Sequence, residues 1–337
     1  VVQIPEPLKK IAQLKTDTVA PDNRDSILEL KEPLSDFFKA LTENTDKSQR
    51  IHIAYFGDSM IEGDLISNDL RKKLQSKFGG NGVGFVPITS VVAGFRSSIT
   101  QVFSENWSTY SFVARPPKGL FVGPTGYVHL PADCTFVKYS HSREYLPFRT
   151  AQLFYAKTEG TEIKVEADNV TKTIELKTEK PADEIVLHDS TEFKSLKLMA
   201  KKDSAAMYGV NFENGGGVYV DNFAFRGSSG LSLSMIPQDV FKTFADKLNY
   251  KLIIFQYGLN IVSHKQTNYE GYYLAFSKII KQIKESAPDA SIIIVGASDK
   301  GYYDNGSWRS EPNVKNFIKV QQKIADEQQD RKSTRLN

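Results

Sequence analysis

The pattern of apolar and polar positions divides the chain into segments of different character. In residues 51–95 and 218–329, short apolar runs typical of buried strands alternate with stretches whose apolar residues recur every three or four positions, as in amphipathic helices. In residues 96–217 the helical periodicity disappears, and short alternating segments between turn residues predict an inserted β-sandwich domain. Residues 1–50 predict an N-terminal arm and one short helix, which carries Phe37, Phe38 and Leu41.

The alternation of strands and helices predicts the fold class. Because each apolar run leads into a helical stretch, we expect an α/β fold with a parallel sheet that helices cover on both faces. This domain is discontinuous, since the β-sandwich interrupts it between residues 95 and 218. Ligands bind such sheets at the carboxyl ends of the strands, which here carry Gly57–Ser59, Gly227, Asn260 and Ala297–Lys300.

The stretch Ile51–Gly63, IHIAYFGDSMIEG, is the most informative part of the chain. An apolar strand pattern ends just before Gly57, which gives the backbone freedom to turn, and a helical pattern follows. Ser59 is expected at the start of the helix with its hydroxyl facing a cleft, which is a good position for a nucleophile. A helix cap formed by Asp58 or Ser59 is an alternative that this stretch alone leaves open. The helix itself is predicted from about Met60 to Lys77, with an apolar stripe of Ile66, Leu70, Leu74 and Phe78.

Composition excludes several classes of function. The net charge is only +3, from 43 basic and 40 acidic residues, so nucleic acid is not an expected partner. No apolar run is long enough to predict a membrane span. The single cysteine, Cys134, cannot form an internal disulfide and is expected to be buried. Since the chain begins at Val1 rather than at a methionine, we expect an exported protein whose signal peptide is absent from this chain.

Three strand ends carry the groups that ester hydrolysis by serine requires, namely a nucleophile and donors for the oxyanion. Ser59 supplies a hydroxyl and its own amide, Gly227 a backbone amide and Asn260 a side-chain amide. In this order, three blocks resemble those of the SGNH, or GDSL-type, hydrolase family: Gly57-Asp58-Ser59, Arg226-Gly227-Ser228-Ser229-Gly230 and Gly258-Leu259-Asn260.

The resemblance implies a flavodoxin-like three-layer α/β/α sheet and a serine esterase without metal or other cofactor. Ser59 would be the nucleophile, Gly227 and Asn260 would hold the oxyanion, and Asp58 would support them. The inserted β-domain and the runs Leu70–Pro87 and Glu213–Val220 are similar to those of peptidoglycan O-acetylesterases, whose inserted module resembles a carbohydrate-binding domain. The implied reaction removes O-acetyl groups from a cell-wall or related polysaccharide through an acetyl-Ser59 intermediate.

Two other functions agree with the same sequence. One is a glycan-binding protein whose hydrolase domain is inert, and the other is a lipase-like acylhydrolase of the same superfamily. The aromatic residues of the insertion suit a sugar-stacking face, but we expect most of them in its core: Trp107, Tyr110, Tyr139, Tyr145 and Phe148.

The catalytic base of the family is missing from this chain. Family members carry an Asp-x-x-His near the C terminus, and none of the five histidines here has an aspartate three positions before it: His52, His129, His141, His188 and His264. Only His264 is predicted near the cleft. Residues 330–337 read like the translation of a sequencing adapter, so we expect a non-native tail and a truncated, impaired enzyme whose base would follow Gln329.

Overall fold

The computed structural model describes residues 34–329 and 333–336. Residues 1–33 of the predicted N-terminal arm therefore lie outside the described residues. The first described element is helix α1 (Ser35–Glu43), in which Phe37 and Leu41 are buried, whereas Phe38 is 56% exposed. No helix in residues 34–329 and 333–336 is long and apolar enough to cross a membrane.

A parallel sheet forms the centre of the α/β part. Its strands are β1 (Arg50–Gly57), β11 (Gly217–Ala224), β12 (Tyr250–Gln256), β13 (Ser291–Val295) and β16 (Ser333–Leu336). Their order across the sheet is β11, β1, β12, β13 and β16, and all neighbouring pairs are parallel. The helices of this part are α2 (Leu65–Phe78), α3 (Gln238–Leu248), α4 (Glu270–Ser286) and α5 (Val314–Gln329). The tail that we expect to be non-native thus supplies the fifth strand, and its origin stays a prediction.

Helices cover both faces of this sheet, which explains why its strands are apolar almost throughout. Ile53 of β1 lies in one buried cluster with Phe37 of α1, against which Leu70 of α2 packs. Phe56, which points to the opposite face, lies in a second cluster with Phe241 of α3 and with residues of α4 and α5. The predicted three-layer α/β/α architecture is confirmed.

Helix α2 begins at Leu65 rather than near Met60, so the prediction of its start is wrong. The residues before it form turns. The Asp58 side chain accepts a hydrogen bond from the Met60 N–H at 2.9 Å, and Asp64 has left-handed backbone geometry with φ of 61°. The Asp58 bond is of the kind that caps a helix, but the left-handed Asp64 is incompatible with a continuous α-helix through residues 60–65. Ser59 consequently lies in an exposed turn and not in the first helical turn.

The insertion is an antiparallel β-domain whose nine strands belong to one hydrogen-bonded sheet. At its centre lies β7 (Phe148–Ala167), where Leu153 pairs both with Ile185 of β8 (Val170–Phe193) and with Val210 of β10 (Met207–Glu213). The other strands are β2 (Gly84–Pro87), β3 (Ile99–Phe103), β4 (Ser108–Ser111), β5 (Tyr127–Leu130), β6 (Thr135–His141) and β9 (Ser195–Ala200). The prediction of an inserted β-domain is confirmed, but the sandwich predicted for it is one continuous sheet, because the long β7 pairs with β10 near its start and with β9 near its end.

The insertion has its own apolar core, and most of its aromatic residues are core residues as expected. Four are buried, namely Trp107, Tyr139, Tyr145 and Phe148, and Tyr110 is partly buried. Cys134 is exposed, so the expectation of a buried thiol is wrong. It lies in the turn between β5 and β6, where its backbone has φ of 58°.

A buried ionic cluster joins the insertion to β1. The His52 ring is fully buried, and its nitrogens lie 2.8 Å from Asp221 Oδ2 and 2.8 Å from Glu213 Oε1. Burial alone lowers the pKa of His52, but the two carboxylates outweigh burial and raise it to about 9. Burial raises the pKa of Glu213, but contacts with His52 and Arg50 outweigh burial and lower it to about 2. These partners make His52 a structural residue.

Candidate active site

The end of β1 places Ser59 at the carboxyl edge of the parallel sheet. Gly57 is the last residue of β1, and its carbonyl accepts a hydrogen bond from the Phe225 N–H, just after β11, at 3.0 Å. A Cβ atom on Gly57 would come within 2.9 Å of the Ile61 side chain, so only glycine fits here without displacing Ile61. Asp58 is only 2% exposed, whereas Ser59 is exposed.

The Asp58 carboxylate connects the turn that carries Ser59 to the loop after β12. Its Oδ2 accepts a hydrogen bond from Asn260 Nδ2 at 2.9 Å. Asn260 Nδ2 also donates to the Ser228 carbonyl, in the loop after β11, at 3.1 Å. The three predicted blocks therefore meet through the side chain of Asn260.

The N–H groups of Ser59 and Gly227 are open donors at this edge. Gly227 is exposed and has φ of 74°, and a Cβ atom built on it would meet nothing within 4 Å. Within the part of the chain that the structure describes, neither of these two N–H groups donates a hydrogen bond. Backbone donors without a partner are what an oxyanion site requires.

Lys300 holds the loop that carries Asn260. Its Nζ donates hydrogen bonds to the carbonyls of Leu259 at 2.7 Å and Val262 at 2.8 Å. Lys300 follows β13, so the ends of two neighbouring strands are joined here. Asn260 is thus held in two ways: its side chain binds Asp58, and Lys300 binds the backbone of its loop.

No histidine is hydrogen bonded to Ser59 among the described residues, where Ser59 Oγ has no hydrogen-bond partner at all. His264, the histidine predicted near the cleft, has Nδ1 3.8 Å from the buried Glu311 carboxylate and its ring stacked on Tyr302 with a centroid distance of 4.5 Å. Burial lowers the pKa of His129 to about 3 and keeps that ring neutral. The loss of the catalytic histidine stays a prediction.

The described residues hold no group of three or more His, Cys, Asp or Glu side chains that could bind a metal ion.

A pocket of about 200 Å³ lies beside the Ser59 turn, between the α/β part and the insertion. Glu62 and Ala224 line it from the α/β part, and Ala224 pairs with Gly57 in the sheet. Arg96 and Tyr127 line it from the insertion, together with several threonine and serine residues. Another part of the wall is apolar and includes Pro87, Val91 and Val92. A wall that mixes apolar, hydroxyl and charged groups suits a sugar, which has both C–H faces and hydroxyl groups.

A buried charged network supports the turn and the pocket. Asp64 accepts hydrogen bonds from Arg71 at 3.0 and 3.1 Å and from Arg96 Nε at 3.1 Å. Although burial raises the pKa of Asp64, the two guanidinium groups lower it below its usual value. Asn222 donates to the Ile61 carbonyl at 2.6 Å and so fixes the turn after Ser59. Arg96 Nη2 is buried without a hydrogen-bond partner among the described residues.

The hydrophobic pattern predicts neither this network nor the hairpin that follows β13. The network gives no local signal, because Arg96 binds Asp64 across 32 positions of the sequence and Arg71 also binds the Val220 carbonyl across 149. The hairpin consists of β14 (Gly301–Asp304) and β15 (Ser307–Ser310). Both residues of its turn, Asn305 and Gly306, have positive φ. An Asn-Gly pair between apolar positions strongly predicts a hairpin, so this element could have been found from the sequence.

Comparison with known proteins bears on the fold. No protein-family profile and no curated protein matches the sequence. Among solved structures, the chain is similar to a peptidoglycan O-acetylesterase, with 19% identity and a TM-score of 0.71 over 89% of this chain and 81% of that one. A family two carbohydrate esterase from Cellvibrio japonicus matches at 8% identity, with a TM-score of 0.27 over 71% of this chain and 88% of its own. Another from Clostridium thermocellum, in complex with cellohexaose, matches at 9% identity, with a TM-score of 0.25 over 70% and 87%. The chain therefore shares its fold with the peptidoglycan O-acetylesterase.

Proposed function

We propose that the protein is a serine esterase that removes O-acetyl groups from a cell-wall or related polysaccharide. The observation that carries this proposal is the meeting of three loops at one sheet edge, where Asn260 binds both Asp58, next to the exposed Ser59, and Ser228, next to Gly227. The fold shared with a peptidoglycan O-acetylesterase supports the choice of substrate. Since such a substrate lies outside the cytoplasm, we also propose that the protein is exported.

The reaction proceeds in two steps. Ser59 Oγ attacks the carbonyl carbon of the acetyl group, and the carbonyl oxygen becomes an oxyanion. Collapse of this intermediate breaks the bond to the sugar oxygen, which takes up the proton that Ser59 lost, and leaves the acetyl group on Ser59. Water then attacks the acetyl-serine and releases acetate with the free serine hydroxyl.

The donors differ in how readily they reach the oxyanion. The N–H groups of Ser59 and Gly227 have no acceptor to give up, because nothing in the described structure uses them. The Asn260 amide donates to Asp58 and to the Ser228 carbonyl, so it must exchange one acceptor for the oxyanion. The neutral Ser228 carbonyl is the one exchanged, because an anionic oxygen is the stronger acceptor.

Activation of Ser59 requires a base, and the arrangement of His264 argues against that residue. Its Nδ1 faces Glu311 and its ring stacks on Tyr302, which gives it a structural role at the base of the hairpin. We therefore expect this chain to be slower than a relative with a complete triad by about 10⁴-fold or more, which is the usual cost of removing a triad member. The remaining rate would come from the oxyanion donors and from substrate binding.

The pocket beside Ser59 is the proposed site for the acetylated sugar. Its rim carries an ion pair between Arg226 and Glu62 at 2.7 Å, which links the loop of Gly227 to the turn of Ser59. Tyr127, which packs on Phe225, adds an aromatic ring to the pocket, and the surrounding hydroxyl groups match the hydrogen-bonding groups of a sugar.

Acetate release from O-acetylated peptidoglycan and from acetylated xylan tests the proposal. Ser59→Ala should remove the release, whereas Ser76→Ala should retain it, because Ser76 is an exposed serine whose Oγ bonds within α2. Added imidazole, which replaces the missing base, should accelerate the wild-type chain and leave Ser59→Ala unchanged. Equal acetate release by the wild type and Ser59→Ala would refute the proposed nucleophile.

Glycan binding without catalysis is the second candidate function. A groove of about 460 Å³ on the insertion favours it, lined by Phe136 and Met199 and by several lysines. One of these, Lys197, has its Nζ 5.1 Å from the centre of the Phe136 ring. If this function is the true one, saccharide binding falls in Phe136→Ala, survives in Ser59→Ala, and is accompanied by no acetate release.

A further inference from the structure

The hairpin of β14 and β15 exposes two aromatic rings that touch each other. Trp308 is 76% exposed and Tyr303 is 63% exposed. They are direct cross-strand partners, and their rings meet edge to face with centroids 5.6 Å apart. Exposed aromatic residues normally occur singly on a soluble protein, so an exposed pair indicates a binding surface.

The indole of Trp308 is held in place by a glycine. A Cβ atom on Gly301 would lie 3.3 Å from Cε3 of Trp308, so the ring lies close over the backbone of β14 at this position. One face of the indole therefore covers the hairpin while the residue stays mostly exposed. The ring is thus oriented before any ligand arrives, which reduces the entropy that binding costs.

The other face of the hairpin is attached to the loop of Asn260. Neighbouring strand residues point to opposite faces, and Tyr302 stacks on His264, four positions after Asn260. The Glu311 N–H donates to the Lys300 carbonyl at 2.7 Å, which closes the base of the hairpin. Lys300 in turn binds the carbonyl of Leu259. The aromatic pair therefore has a fixed connection to the proposed oxyanion loop.

The hairpin also lies at the same sheet edge as Ser59. It follows β13, and β13 is separated from β1 only by β12. With neighbouring strands about 4.8 Å apart, the strands that carry Ser59 and the hairpin are roughly 10 Å apart in the sheet. A polysaccharide whose acetylated unit reaches Ser59 is long enough to reach the hairpin with its neighbouring units.

We propose that Trp308 and Tyr303 form a stacking platform for the glycan chain of the substrate, two strands away from the Ser59 turn. This inference rests on the proposed function. The C–H faces of uncharged pyranose rings would pack on the two aromatic rings, and the platform would act on substrate binding and not on the chemical step. Neither residue touches the reacting ester, so both determine specificity for polymeric over small substrates.

Fluorescence offers a direct test, because the chain has two tryptophans and Trp107 is buried. Chitohexaose and glycan strands solubilised from O-acetylated peptidoglycan should change the emission of Trp308 and protect it from acrylamide quenching. Calorimetric titration should then show binding that is about three- to tenfold weaker in Trp308→Ala, the range expected for one aromatic contact. Trp308→Phe should recover most of the affinity.

Two further variants separate the platform from a general effect of exposed aromatic residues. Gly301→Val should displace the indole and weaken binding without removing a ring, whereas Phe38→Ala, which removes an exposed ring from α1, should have no effect. Unchanged glycan affinity in both Trp308→Ala and Gly301→Val would overturn the proposal. A dimer that forms without glycan and is lost in Trp308→Ala would assign the face to a second copy and also overturn it.

Kinetics distinguish failure of the platform from failure of the proposed function. With polymeric substrate, Trp308→Ala should raise KM about three- to tenfold at unchanged kcat, and the turnover of 4-nitrophenyl acetate should not change. If the small ester is turned over through Ser59 but Trp308→Ala leaves KM for the polymer unchanged, the platform alone is wrong. If glycan binds through Trp308 but neither ester is hydrolysed, the esterase function is wrong and the protein is a glycan binder.

Discussion

Replacing Asp58 by asparagine tests whether this carboxylate positions the amide of Asn260. The carboxylate accepts from two donors, the Met60 N–H and Asn260 Nδ2, each at 2.9 Å. An asparagine side chain has one oxygen, so it can accept from only one of them and turns its own NH₂ group towards the other. Because Asp58 is 2% exposed, water does not replace the lost acceptor. Loss of one buried hydrogen bond to a charged group predicts a decrease of about 2 kcal/mol in the free energy of unfolding.

A double-mutant cycle measures this interaction even if catalysis is slow. Urea unfolding of the wild type, Asp58→Asn, Asn260→Ala and the double variant should give a coupling energy of about 1–2 kcal/mol. Asp46→Asn is a matched control, since Asp46 accepts similar local hydrogen bonds from Ser48 in an exposed turn, and should change stability little. Acetate release by Asp58→Asn should fall about 100-fold, the usual effect of one lost oxyanion donor. Additive effects of the two substitutions on stability would refute the positioning role.

Three further predictions concern the structure that holds the site. The pKa of His52 is about 9 in the folded state and 6.5 in the unfolded state, so protonated His52 stabilises the fold by about 3 kcal/mol. This stabilisation is complete below pH 6.5 and is lost as pH rises through 9. Urea unfolding across this range should show the loss in the wild type and not in His52→Gln. Lys300→Met removes two hydrogen bonds from the loop of Asn260 and should lower kcat about tenfold, whereas an unchanged kcat would show that the loop is held otherwise. Gly57→Ala should lower the free energy of unfolding by about 1–3 kcal/mol through overpacking against Ile61, and an unchanged midpoint of thermal unfolding would contradict this.

The parallel sheet was predictable because its strands are buried on both faces. Such strands are nearly continuous apolar runs, as in Leu252–Phe255 and Ile292–Ile294, and the helices between them repeat every three or four residues. The edge that carries Ser59, Gly227 and Asn260 followed from the same pattern, because the carboxyl ends of parallel strands lie on one side. The hydrogen bonds that join these residues were not predictable, since they depend on the loops between the strands.

The start of α2 shows why local periodicity was insufficient. The stripe that begins at Ile66 predicted a helix from Met60, but Asp58 and Asp64 impose turns that a hydrophobic pattern does not reveal, and Ile66 itself is exposed. The charged network has a similar cause. Arg71 binds the Val220 carbonyl at a separation of 149 positions in the sequence, and no spacing rule predicts such a contact.

Trapping of an acetyl group on Ser59 tests whether this residue is the nucleophile. The protein is incubated with 4-nitrophenyl acetate and with O-acetylated peptidoglycan, quenched in acid, digested and analysed by peptide mass spectrometry. Because hydrolysis of the acetyl-enzyme also needs a base, slow deacylation should let the intermediate accumulate. We predict one acetyl group on Ser59 in the wild type, and none on the corresponding peptide of Ser59→Ala. Acetate release from the glycan at the wild-type rate by Ser59→Ala, without acetylation of Ser59 in the wild type, would contradict the account.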